Sequence, residues 1–474
     1  MKQRSASIQL GVEVLAFAAM AAIISQYFLP ADTAKMMAGV IVAYAIPRFL
    51  YSRLNCHNRT GSIVLMVAGL GLAALAILHF YSYTVAHGAT FDHPHLTSDD
   101  SGYFNWALYH YNGTGEEPDT KFLGFPFMML CTWKLFGVNI VWPTAVNMMC
   151  TLFSLILSGQ VAARMLEGRV KTDSKHIAAT AMVATVILIY FMSEGLRLQK
   201  EAMTYLGVML AAYGIARLKC LDNSRWSRTW ADLTLFALGT FILAVTRTGV
   251  TYFVLAGIVL ATLDNRKQWR YGLLLIGIVL IMAGLGIHFA NRFTIGRQMR
   301  IIGGAYNGGD IMSVAYTASD AQQAYAQMLG DYHHFPMWQK LLLLPFTSIV
   351  QFVIPFPWVT IGETTFLSYI PRLQWGWYLV GGIALFYYLF LSWRRKGRSL
   401  GFWALWPLVC FLGAAFVTGG SVSRYALPYQ PLFATLAVFV YYRLREGQHR
   451  RSFTIWSALY ILTLATALIT CYTL

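Results

Sequence analysis

Apolar stretches close to the thickness of a bilayer recur along this chain, and they limit its fold more than any other feature. Two clear ones run from Gly61 to Tyr83 and from Val138 to Ala163. A helix crosses the hydrocarbon layer with ~20 apolar residues, whereas a barrel strand uses only ~9–11. Lipid offers no partners to backbone polar groups, so helices and closed barrels are the only spanning structures. Runs this long and continuous are helices, and the chain reads as an all-α polytopic membrane protein. Composition agrees: of 474 residues, 57% are hydrophobic and 12% charged, about half of the ~25% charged share of a soluble domain. The net charge of +16 does not require nucleic acid as a partner. Lys and Arg fall in short loops between spans, as the positive-inside rule expects. The six cysteines are scattered with no CxxC spacing, which points to neither a zinc site nor a disulfide framework. The opening MKQRSASIQLGVEVLAFAAM resembles a signal peptide, but its apolar stretch exceeds a typical h-region. It is read as an uncleaved first span.

Loop charges orient the spans. Lys2 and Arg4 place the N-terminus in the cytoplasm, and spans near 8–29 and 34–50 return to Arg48, Arg53 and Arg59. A third span near 61–82 delivers residues 84–137 to the outside, and one near 138–163 comes back to Arg164, Arg169, Lys171 and Lys175. Spans near 176–192 and 201–218 form a hairpin with the outer turn SEGLRLQKE. Those near 231–246 and 249–263 turn outside at Arg247, and one near 271–290 leads to a second large outer loop, Asn291 to Pro336. In 337–359, Pro345, Pro355 and Pro357 each remove a backbone donor. A full crossing there would also put Arg394, Arg395, Lys396 and Arg398 outside, so the segment is read as re-entrant or lying along the outer surface. Spans near 375–393, 401–418, 424–442 and 453–473 complete the chain with the C-terminus outside. The total is about 13 transmembrane helices. The chain divides into an N-terminal hairpin (1–60), a core with the first outer loop (61–290), an outer loop with the re-entrant segment (291–374) and C-terminal helices (375–474).

The longest break in the N-terminal half, Phe91 to Gly137, carries the residues with most chemistry. Asp99 and Asp100 form an acid pair, followed by Tyr103 and Ala107 at helical spacing and by Lys121. One carboxylate can take a proton from a reacting hydroxyl while the second orients it or holds a metal. The plainer alternative is a pair of solvated acids, or one acid capping a helix that starts near Ser101. His93 and His95 precede the pair, and with Asp99 or Asp100 they could make a mixed nitrogen and oxygen site for a divalent metal.

The run SDDSGYFNWALYHYNG resembles the first outer loop of the GT-C glycosyltransferases, the class that includes protein mannosyltransferases and aminoarabinose transferases. Those enzymes carry an acid pair, a Tyr three or four residues on, a helix with a small residue, a Lys-containing stretch and an apolar run ending in a Leu-Phe-Gly turn. Here these are Asp99, Asp100, Tyr103, Ala107, Lys121 and Leu135-Phe136-Gly137. The chain departs from the pattern in having Asp-Asp where many relatives have Asp-Glu, and Lys121-Phe122-Leu123 where aminoarabinose transferases have Lys-Pro-Pro. The loop also follows the third span rather than the first, which makes the first hairpin an addition to the core. The resemblance covers roughly residues 60–290 and, more loosely, the helix that begins at Arg424 and Tyr425.

Basic residues on the outer face complete the set. Arg197 and Lys200 suit the phosphate of a lipid carrier, or they snorkel at the membrane surface. Glu201 fits the start of a helix by its dipole alone. Arg247 lies close to hydrocarbon and faces a cavity or an ion-pair partner. Arg424 and Tyr425, in RYALPYQP, resemble the late Arg-Tyr helix of GT-C enzymes.

The resemblance implies transfer of a sugar from a polyprenyl-phosphate donor to a lipid, glycan or protein acceptor at the outer face of a bacterial inner membrane. One of Asp99 and Asp100 would be the base, with Tyr103, Glu201 and Tyr425 in support. Lys121, Arg197, Lys200, Arg247 and Arg424 would hold the donor phosphate. The alternatives are an O-antigen polymerase or ligase using a diphosphate-linked glycan, and a transporter or lipid flippase. The topology is open to reporter fusions. A phosphatase fused after Leu474 should be active and one fused after Arg398 or Arg451 silent. The opposite pattern would reverse the orientation.

Overall fold

Helices account for every regular element of the described residues. The computed structural model describes residues 2–54, 57–96, 99–113, 123–220, 229–247, 249–293, 332, 335–353, 375–393, 400–419, 425–446 and 450–473. The N-terminal helices are α1 (Lys2–Ile24), α2 (Pro30–Ser52) and α3 (Arg59–Tyr83), followed by α4 (Asp99–Asn112) and α5 (Gly124–Phe136) in the first large loop. Next come α6 (Val141–Leu166), α7 (Ser174–Val186), α8 (Ile189–Glu194), α9 (Glu201–Cys220), α10 (Thr229–Thr246), α11 (Gly249–Asp264) and α12 (Trp269–Phe293). The last are α13 (Met337–Val353), α14 (Trp375–Trp393), α15 (Leu405–Thr418), α16 (Gln430–Arg445) and α17 (Arg450–Thr473).

Five helical stretches of the described residues are long and apolar enough to cross a membrane: Ser7–Ile24, Pro30–Ser52, Arg59–His87, Val141–Leu166 and Arg266–Gly286. Other spans read from the sequence coincide with helices that are shorter or more polar. The centre of the bundle is α6, with 72% of its apolar stretch buried against 11% for α1 at the periphery. It packs on α2, α3, α7, α9 and α16. Lipid supplies no hydrophobic drive between helices, so close packing through small residues has to supply it. Between α9 and α10 that contact runs through Gly207 and Gly239. A Cβ on Gly239 would lie 2.6 Å from Leu210 Cβ and 2.8 Å from Gly207 O.

Two segments differ from their sequence reading. The expected span 176–192 is interrupted between α7 and α8 at Ile187 and Leu188. A broken helix is tolerated at such depth because protein surrounds it. In the second, Pro345 does not end its helix, and α13 runs through it from Met337 to Val353. Packing on α15 holds the turn beyond the proline: Gln351 Nε2 donates to Phe411 O at 2.9 Å, and Thr347 is buried. Pro355 and Pro357 lie outside the described residues.

Gly239→Ala should lower thermal stability in detergent by about 1–3 kcal/mol through overpacking. Gly277→Ala is the control, because a Cβ there meets nothing within 4 Å. Equal melting of both variants would mean that α9 and α10 are not in this contact.

Candidate functional site

The turn between α8 and α9, residues 195–200, is where the charged residues of the outer-face reading converge. α6 holds this turn. Asn147, Thr151, Ser154 and Ser158 form a stripe along α6 at helical spacing, and all are buried. Asn147 Nδ2 donates to the carbonyls of Arg197 at 2.6 Å and Gln199 at 3.1 Å. Thr151 Oγ1 donates to Gly195 O at 3.3 Å. Gly195 lies so close to Thr151 that a Cβ would collide with its hydroxyl. The turn's backbone is thus satisfied by side chains, as an irregular segment buried among helices requires.

On this base the turn receives α4. Asp100 is 1% exposed. Gln199 Nε2 donates to its Oδ1, the Tyr83 hydroxyl donates to its Oδ2 at 3.1 Å, and Arg197 Nη2 lies 3.6 Å from the same Oδ2. One helical turn along α4, the Tyr103 hydroxyl accepts from Lys200 Nζ at 2.7 Å. Ala107, a further turn on, is fully buried. Asp100, Tyr103 and Ala107 therefore share one buried face of α4, and Asp100 and Tyr103 join it to the turn. Arg197 also pairs with Glu194 at 3.6 Å. The carboxylates of Asp100 and Glu194 hold its guanidinium above its already high range, Asp100 most strongly, so it stays charged.

A second pair completes the cluster at the start of α9. Glu201, 2% exposed, accepts from Arg247 Nη2 at 3.3 Å. The Arg247 guanidinium carbon stands 4.1 Å from the centre of the Tyr425 ring. Arg247 is 5% exposed, yet among the described residues its Nε and Nη1 have no hydrogen-bond partner. Tyr205 Oη and Gln430 Oε1 are likewise buried without a hydrogen bond among the described residues. Burying such atoms unpaired costs about 1–3 kcal/mol each, so this region has polar capacity that the described residues do not use.

The structure brings Asp100, Tyr103, Arg197, Lys200, Glu201, Arg247 and Tyr425 into one region. It corrects the surface reading of the turn, because Lys200 and Glu201 are buried by their partners rather than snorkelling. Glu201 has a guanidinium as well as a helix dipole. Asp99 is the first residue of α4, but its side chain lies outside the described residues, as do Lys121 and Arg424. The histidines do not join Asp100. His95 stacks on His87 with ring centres 4.0 Å apart, and the exposed His93 lies 4.0 Å from Asp92. The described residues contain no group of three or more metal-ligating side chains, so no step through a metal follows from them.

Sequence reasoning missed Tyr83, Asn147, Thr151, Glu194 and Gln199. The available signal was the spacing of Asn147, Thr151, Ser154 and Ser158 in an otherwise apolar run, since polar residues inside a membrane helix face the protein. No protein-family model matches the chain, and no curated protein matches it significantly.

Asn147→Leu should strand two buried carbonyls, at a cost of about 1–3 kcal/mol each. The expected result is a lower melting temperature with faster amide exchange confined to residues 193–201. Unchanged exchange there would show that the turn does not depend on α6.

Proposed function

We propose that the chain is a membrane glycosyltransferase of GT-C type, which moves a sugar from a polyprenyl-phosphate donor to an acceptor hydroxyl at the outer face of a bacterial inner membrane. The observation that carries this reading is the Arg247 guanidinium, buried against Glu201, next in sequence to the Lys200 that meets α4, with two donor nitrogens unpaired among the described residues. A buried cation with open donors suits an anionic oxygen better than a sugar hydroxyl. The loop motif adds to this, with Asp100, Tyr103 and Ala107 on one buried face of α4, which Asp100 and Tyr103 join to the turn.

The two aspartates divide their work. Both oxygens of Asp100 are engaged, by Gln199 on one side and by Tyr83 and Arg197 on the other. With both oxygens held by these partners, Asp100 is the anchor of α4. We assign the proton transfer to Asp99. Its carboxylate takes the proton of the acceptor hydroxyl as that oxygen attacks the anomeric carbon. The bond from this carbon to the phosphate oxygen breaks, and polyprenyl phosphate leaves with the electron pair. Arg247 donates to the departing phosphate. In the described cluster Asp100, Glu194 and Glu201 already balance Arg197, Lys200 and Arg247. The additional positive charge that a phosphate needs is assigned to Lys121 and Arg424.

The test measures release of polyprenyl phosphate and sugar transfer in membranes containing native lipids, acceptors and a labelled polyprenyl-phosphate sugar pool. Asp99→Asn should reduce turnover about 10²–10⁴-fold at unchanged folding. Arg247→Gln should reduce it while sparing α4. Asp100→Asn should lose activity together with stability, about 3 kcal/mol, because Arg197 is left without its main partner. Wild-type activity in Asp99→Asn removes Asp99 as the base. No release by wild type from a broad donor pool rejects the transferase reading.

A further inference from the structure

A second buried charged cluster lies at the opposite end of α9 from the candidate site. Arg164, in the last turn of α6, donates through Nη2 to Asp232 Oδ1 at 3.0 Å and to the Tyr213 hydroxyl at 2.5 Å. Its guanidinium carbon stands 3.6 Å from the centre of the Tyr213 ring. Arg217, in the last turns of α9, reaches the other oxygen of Asp232 with Nε at 3.4 Å. Asp232 is 5% exposed in the first turn of α10, so two guanidinium groups converge on one buried carboxylate. The Arg217 Nε makes no hydrogen bond. Tyr271, two residues into α12 and 2% exposed, has a buried hydroxyl with no hydrogen-bond partner among the described residues.

The surroundings fix the depth of this cluster. Trp230 and Trp269, at the starts of α10 and α12, are 71% and 51% exposed. Tryptophans at helix starts of this kind mark the headgroup level of a bilayer. Asn265 Nδ2 donates to Leu218 O at 2.8 Å, which ties the turn before α12 to the residue after Arg217. That turn carries exposed Arg266 and Lys267, and exposed Arg270 follows at the start of α12. Two arginines between helices at headgroup depth, with further exposed cations and tryptophans close by, are suited to a lipid phosphate.

We propose that Arg217 and Tyr271, with Arg164 behind them, bind the phosphate of an anionic membrane phospholipid at this end of the bundle, which the loop charges place on the cytoplasmic face. Arg217 supplies charge and donors, Tyr271 one neutral donor, and Asp232 holds both arginines in place. The site stands apart from the sugar-transfer reading and survives if that reading fails.

The test uses the purified full chain and native mass spectrometry, with phosphatidylglycerol or phosphatidylcholine added in equal amounts. Melting temperature is followed in parallel, and glycerol 1-phosphate serves as the soluble phosphate. Wild type should retain phosphatidylglycerol over phosphatidylcholine and melt higher with it. Arg217→Gln should lower retention about fivefold, the worth of one cation near a lipid phosphate. Arg217→Lys should restore much of it, and Tyr271→Phe should lower it less than Arg217→Gln. If Arg217→Gln does not fold, Tyr271→Phe decides, because it removes only a hydroxyl. Equal retention of the two lipids by wild type overturns the proposal, and so does equal retention of phosphatidylglycerol by wild type and both variants. An equal rise in melting temperature with glycerol 1-phosphate also overturns it, by assigning the pocket to a soluble phosphate.

Discussion

The structure around the candidate site depends on one constraint: charges buried among membrane helices have to be paired. Three acids and three bases meet at the turn of residues 195–200, and each has a partner within 4 Å or a hydrogen bond to a tyrosine. Desolvating such groups singly would cost several kcal/mol per ion. The pairing cannot be made locally, because the partners come from α3, α4, α8, α9 and α10 with the segment at Tyr425. Electrostatic need therefore sets the relative position of helices that apolar packing alone would leave free to slide. Hydrophobic contact in lipid is non-directional and weak, whereas a buried carboxylate accepts only a few geometries.

The same logic explains why α9 begins and ends in ion pairs. Glu201 meets Arg247 at one end, and Arg217 meets Asp232 at the other. The sixteen residue steps from Glu201 to Arg217 span ~24 Å at 1.5 Å per residue, most of the hydrocarbon thickness. Between those ends α9 lies against α10 through Gly207 and Gly239, with Val208, Ala211, Ala212 and Ile215 buried. It acts as a strut with charged ends and a close-packed middle. A shift of α10 along α9 would break both ion pairs at once, so the two ends hold the register of a contact that small residues alone leave loose.

Much of this could be read in the sequence. Segments at 249–263 and 375–393 correspond closely to α11 and α14, because apolar runs bounded by charged loops carry their own limits. Within the first loop, the helical spacing of Tyr103 and Ala107 matches α4, while the burial of Asp100 beside them was not read. Arg247, Glu201 and Tyr425 were each identified, but not as partners, since contacts across 46 residues and more leave no periodic trace. The interruption between α7 and α8 was not legible either. Its residues are as apolar as those around it, and only the docking of the next turn on α6 shows why the helix stops. Asn147 was missed because a single amide in an apolar run carries little weight without its neighbours at 151, 154 and 158.

Pairing also decides which charges remain for chemistry. Asp100 and Arg197 satisfy each other, with Glu194 on the far side of the guanidinium, and Lys200 is directed at Tyr103. Such groups are held still and spend their electrostatic capacity on the fold. Arg247 differs, because Glu201 takes one of its nitrogens and the Tyr425 ring takes its face, while among the described residues Nε and Nη1 stay open at 5% exposure. A guanidinium in that state is already desolvated before any ligand arrives, so an incoming anion does not have to strip its water. Preorganised donors of this kind stabilise developing charge without reorganising at the moment of reaction. That separates Asp100, whose oxygens are taken up by the fold, from Arg247, whose open nitrogens are what the proposed function draws on.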